Sequence, residues 1–162
     1  MRHVWCGMLI VLPLLGGCAG GSDATKPPMV VGVMERSQLP AVFQQVYDTT
    51  HVESDFIELI RTAGGGVETK VFLGTWCPDS HREVPRFLRV IDLAGSSLGP
   101  VTLYGLDRGM KSPAGEEVPY AIERVPTFIF LKHGKEIGRI VETPRTSIEG
   151  DMLTILASAV NQ

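Results

Sequence analysis

The stretch Gly74-Thr75-Trp76-Cys77-Pro78-Asp79-Ser80 decides how this chain is read, because the hydrophobic period changes across it. Upstream, Val71-Phe72-Leu73 is a short continuous apolar run, and Val67 to Gly74 reads as a buried strand. Downstream, Val84, Phe87, Leu88 and Ile91 recur on one face of a helix. Cys77 therefore sits where a strand hands over to a helix. The unpaired N–H groups and the dipole of a first helical turn favour a thiolate at such a place. His81, one turn on, and Arg82 would add positive charge, while Asp79 and Glu83 oppose it.

Working outward, Leu39, Val42, Phe43, Val46 and Tyr47 form one apolar face, so a helix is predicted with Ser37 as its N-cap. A second helix from Ser54 buries Phe56, Ile57 and Ile60 and stops at Gly64-Gly65-Gly66. Beyond the central helix, Val101 to Leu106 reads as a strand, and Asp107 to Pro119, polar and rich in Gly and Pro, as a surface loop. Thr127 to Lys132 and Ile137 to Glu142 read as strands joined by a tight turn at His133-Gly134. The last helix opens on Thr146-x-x-Glu149, a capping box, and buries Ile148, Met152, Ile155, Leu156 and Ala159. Met29 to Met34 is a first strand or more of the leading segment. A strand–helix–strand unit is normally parallel and a hairpin antiparallel. The expectation is an α/β fold, a mixed sheet with helices on both faces.

The 162 residues suffice for one domain, and 44% apolar with 20% charged residues exclude a disordered chain. The fifteen Lys and Arg are scattered, which argues against a nucleic-acid partner. The N-terminus reads as an address. Arg2 and His3 precede an apolar run from Val4 to Leu15 that is too short to span a bilayer. Leu15-Gly16-Gly17-Cys18 resembles the bacterial lipobox, which implies cleavage before Cys18 and lipid on its sulfur and new amino group. The expected division is a signal peptide at 1–17, a flexible tether at 18–36 and one domain at 37–162. Ala19 after Cys18 favours the outer membrane, facing the periplasm. The mature chain would carry fourteen basic and eighteen acidic residues, net −4. Cys6 leaves with the signal, so Cys77 remains as the one free thiol and no internal disulfide can form.

Trp76-Cys77-Pro78-Asp79-Ser80 resembles the Trp-Cys-x-x-Cys motif of the thioredoxin superfamily, with Ser80 in place of the second cysteine. Pro85, eight residues after Cys77, stands where thioredoxins carry a helix-kinking proline. Val125-Pro126-Thr127 resembles the cis-proline segment that opens a strand beside the active cysteine, and Gly134 fits the following hairpin. The resemblance covers roughly residues 43–160 and is nearest to bacterial thioredoxin-like proteins bearing Gly-Thr-Trp-Cys-x-Asp-Ser. It implies a thioredoxin-like three-layer fold, Cys77 and Ser80 as the catalytic positions, and a substrate groove of Trp76, Pro78, Val125, Pro126 and Thr127. Two departures stand out. Ser80 cannot resolve a mixed disulfide, and Val71 occupies the position, six before Cys77, where thioredoxins bury an acidic residue.

Bland roles compete at several positions. Ser80 with Glu83 spells a capping box, an alternative to a hydroxyl hydrogen bond on the Cys77 sulfur. His81 reads as a solvated histidine, Trp76 as packing, and Asp107 and Arg108 as surface charges. Three functions follow. The first is single-cysteine thiol–disulfide exchange by a membrane-tethered oxidoreductase that lacks its resolving cysteine, with protein or small-molecule thiols and disulfides as partners and no cofactor. The second is a non-catalytic binding module. The third is a copper or zinc site using Cys77 and His81, which share a helix face at i, i+4.

Overall fold

The computed structural model describes residues 29–160. The expected signal peptide (1–17), Cys18 and residues 18–28 of the expected tether lie outside the described residues. The sheet is built on β2 (Val67–Leu73), which pairs in parallel with β3 (Val101–Gly105) and antiparallel with β4 (Thr127–Lys132). The outer strands are β1 (Gly32–Met34) on β3 and β5 (Lys135–Val141) on β4, both antiparallel, giving the order β1-β3-β2-β4-β5. The expected mixed sheet is present. His133 and Gly134, both at positive φ (52° and 76°), make the two-residue turn between β4 and β5.

The helices are α1 (Ala41–Thr49), α2 (Ser54–Ala63), α3 (Pro78–Ala94) and α4 (Ile148–Val160). Their inward faces are those read from the sequence, with Ile57, Ile60, Val84, Phe87, Leu88, Ile91, Met152 and Leu156 buried. Alternation along the strands sorts the core into two parts. Val67, Val71, Leu73, Phe128, Phe130 and Ile140 face one way and join residues of all four helices in a single cluster. Phe72, Tyr104, Ile129 and Leu131 face the other way, under Leu106, Ile122, Val125, Trp76, Met110 and Tyr120.

The two faces are thus covered unequally. The second helical layer expected on the far face is a loop-rich layer running from Leu106 to Val125, with one 3-10 turn at Val118–Tyr120. The Gly- and Pro-rich composition of this segment does not sustain a helix. Three other expectations shift. Gly32–Met34 belongs to the sheet, so the folded body begins before the boundary expected at residue 37. Gly105 allows this pairing, since a Cβ there would lie 2.2 Å from the Val30 carbonyl oxygen. Ser37 does not cap α1. It lies in a 3-10 turn (Arg36–Gln38), because Pro40 forces Leu39 into an extended conformation (ψ 135°) and the helix starts only afterwards. At α4, the Gly150 N–H donates to Ser147 Oγ (3.1 Å), while Asp151 accepts from the backbone N–H groups of Arg145 and Thr146, so Glu149 does not form the expected box.

Candidate functional site

Cys77 is the N-cap of α3, in an extended conformation (φ −93°, ψ 123°), and Pro78 follows at the first helical position, where its missing N–H costs nothing. The Cys77 N–H donates to the Gly74 carbonyl (2.9 Å), and the His81 N–H donates to the Cys77 carbonyl (3.0 Å). These two bonds fold the strand end directly into the helix. The thiol points across the sheet end, and Sγ donates to the Val125 carbonyl oxygen at 3.3 Å. Val125–Pro126 is a cis peptide bond, and the Pro126 carbonyl accepts the Glu142 N–H at 2.7 Å. The sulfur is less open than a helix-start cysteine suggests, since Cys77 is only 7% exposed.

The N-cap cysteine of α3 therefore meets the proline-led start of β4, as the resemblance implied, within the strand order β1-β3-β2-β4-β5. The fold is thioredoxin-like. No family model matches the chain, and no curated protein matches it significantly. Among solved structures it is similar to a protein of unknown function from Pseudomonas aeruginosa, with a TM-score of 0.54, 17% identity, and coverage of 75% of this chain and 81% of that one. It is similar to an HIV epitope scaffold at the same TM-score and identity, covering 75% of this chain and 82% of the other. A thioredoxin from Aeropyrum pernix also aligns, with a TM-score of 0.42 and 16% identity over 83% of this chain and 96% of that one. At these identities the likeness concerns the fold alone.

Of the expected groove residues, Trp76 and Pro78 reach the surface beside the thiol, while Val125 and Pro126 are buried against it. Thr127 is buried too, and its hydroxyl donates to the Arg124 carbonyl (2.7 Å), so its side chain braces the loop. Ser80 is fully buried, and its Oγ accepts the Gly74 N–H at 3.2 Å. That is neither of the two roles weighed for it. With Cys77 as the cap, the Ser80 hydroxyl ties the strand end to the first turn of α3.

The charges around the thiol are engaged elsewhere. Arg82 bridges Asp79 (2.7 Å) and the buried Glu83 (2.5 Å), and its guanidinium also donates to Thr143 Oγ1 (3.0 Å). The Glu83 hydrogen bond, seconded by Asp79, outweighs partial burial and raises the Arg82 pKa. Glu83 Oε2 has no hydrogen-bond partner among the described residues. His81 is half-buried, packed edge-on against Phe43 (5.1 Å between ring centroids), and its Nε2 is 2.7 Å from the Thr75 carbonyl oxygen. A carbonyl only accepts, so Nε2 carries a hydrogen and is no metal ligand in this arrangement. Among the described residues no group of three or more His, Cys, Asp or Glu side chains is placed to hold a metal. A cavity of about 610 Å³ lies alongside, lined by Arg82, Arg86, Glu83, His51 and Thr143, and Cys77 does not line it.

One residue of the site was set aside in the sequence. The Arg108 guanidinium lies 4.8 Å from the centre of the Trp76 ring, and that ring is fixed by its own Nε1–H donating to the Leu106 carbonyl (3.0 Å). Asp107 accepts the N–H groups of Gly109 (2.8 Å) and Lys111 (2.9 Å), which folds the loop back and carries Arg108 over the indole. Asp-x-Gly at a strand end signals such a turn. No pattern in the sequence links residue 108 to residue 76.

Proposed function

We propose that this is a single-cysteine thiol–disulfide exchange protein, held at a bacterial membrane by lipid on Cys18 and facing the periplasm. The supporting observation is the Cys77 sulfur at the α3 N-cap, 3.3 Å from the Val125 carbonyl at the head of β4. The sulfur lies at the start of α3, and the backbone just ahead of β4 gives a partner peptide main-chain groups to pair with. Cys77 loses its proton to solvent, and the thiolate attacks one sulfur of a partner disulfide. The Cys77–partner bond forms as the partner's S–S bond breaks, and the second partner sulfur leaves as a thiolate. Since Ser80 holds no thiol, a second thiol from outside the chain must attack the mixed disulfide, which returns Cys77 as a thiolate.

The test is intact mass after incubation with a small disulfide. The expected result is one adduct per chain, removed by a reductant and absent in Cys77→Ser. A Cys77 that reacts no faster than free cysteine overturns the reading. The 7% exposure of Cys77 favours one second reading, a binding module that keeps the groove and does not turn over. In that case Cys77→Ser leaves partner binding unchanged.

A further inference from the structure

The loop charge over Trp76 gives the site a substrate preference. Seven basic side chains pair with a carboxylate within 4.0 Å; Arg108, like Lys70, Arg89, Lys132, Lys135 and Arg145, pairs with none among the described residues, and it lies over the indole next to Cys77. Its position comes instead from the indole beneath it, 4.8 Å away. A guanidinium held over an indole as a cation, with no carboxylate on it, has its N–H groups left for a planar, two-oxygen acceptor. The stack also fixes those groups in advance, which reduces the ordering cost when a ligand binds. Trp76 adjoins Cys77 in the chain and packs in the same cluster as the Cys77 side chain. Asp107, next to Arg108 in the chain, is already occupied by the N–H groups of its own loop, and Asp79, two residues beyond Cys77, is bound by Arg82.

We propose that the Arg108–Trp76 stack is a carboxylate-recognition element, which selects thiol or disulfide partners carrying a carboxylate close to the reacting sulfur. The proposal rests on the exchange reading for its chemistry and on the stack for its selectivity. The carboxylate belongs to a small acid or to an acidic residue beside a partner cysteine, and the two sources share the same contact.

Three small disulfides differing in charge test it: 3,3′-dithiodipropionate (dianion), 2-hydroxyethyl disulfide (neutral) and cystamine (dication). Each rate of Cys77 adduct formation is divided by the rate with free cysteine, which removes the intrinsic reactivity of the reagent. The dianion is expected to be favoured over the neutral disulfide roughly fivefold, the scale of one exposed two-point ion pair. In Arg108→Gln the ratio should fall to about one, and Arg108→Lys, which keeps charge without the planar fork, should restore only part of it. An equal ratio in wild type and Arg108→Gln overturns the proposal. Peptide disulfides with Asp or Asn beside the cysteine separate the sources. A preference for the Asp peptide assigns a polypeptide partner, and one confined to the small dianion assigns a small acid; either supports the stack.

If none of the disulfides reacts, the exchange reading fails, and a second measurement still decides the stack. In Cys77→Ser, dithiodipropionate should change Trp76 fluorescence saturably, cystamine should not, and Arg108→Gln should abolish the change. A flat titration in Cys77→Ser overturns the proposal.

Discussion

The Cys77 thiol donates to the carbonyl oxygen of Val125, forty-eight residues further along the chain, across 3.3 Å. This contact joins the start of α3 to the head of β4, and it gives the sulfur a directed acceptor in an otherwise apolar cluster. Cys77→Ser keeps a donor of similar shape at that point. We expect it to abolish adduct formation while leaving the urea unfolding midpoint nearly unchanged, a split that mass spectrometry and equilibrium unfolding resolve together.

Ser80 carries a different kind of weight. Its Oγ accepts the buried Gly74 N–H, so Ser80→Ala leaves a donor without a partner in the interior. The cost of such an orphan is about 1–3 kcal/mol. Urea unfolding should show a lower midpoint with an unchanged slope.

Gly74 controls Trp76. A Cβ at residue 74 would sit 2.8 Å from Trp76 Cε2, closer than real side chains approach, whereas a Cβ at Gly65 meets nothing within 4 Å. Gly74→Ala should shift the indole, alter its emission and slow adduct formation at Cys77. Gly65→Ala serves as the control and should do none of these things.

Asp92 sets an acid limit. Burial raises its pKa, but hydrogen bonds from Arg36 and Tyr47 and the nearby guanidinium of Arg89 outweigh this and leave it lowered. A carboxyl with a depressed folded-state pKa contributes stability that is present above its unfolded value, about 3.9, and lost as pH falls through the folded value. Tm should therefore drop below about pH 4 in the wild type, and Asp92→Asn should lower Tm at neutral pH and flatten that drop. Equal acid profiles for the two proteins would contradict the assignment.

Much of this architecture was legible because it rests on local chemistry. Thr127 to Lys132 is the strand expected, α2 begins at Ser54, and His133-Gly134 turns the hairpin, since alternation, periodicity and positive-φ residues all act over a few positions. The Cys77–Pro126 neighbourhood came from the family resemblance. What escaped depends on long-range partners. The strand Gly32–Met34 pairs with β3 where Gly105 leaves room for Val30, and the true tasks of Ser80 and Thr127 lie in which backbone groups they meet. Arg108 reaches Trp76 through a loop whose path no periodicity encodes.

The direction of β1 has an outcome for reach. It runs antiparallel to β3, and the Val30 N–H donates to Thr75 Oγ1 (3.1 Å), so the chain enters the folded body at the end of the sheet that carries Cys77. A leash from Cys18 to Val30 extends at most about 40 Å at roughly 3.3 Å per residue. On the lipid-anchor reading, the thiol then patrols a thin shell above its own bilayer. Its clientele would be molecules that come within that shell, not those diffusing freely through the compartment.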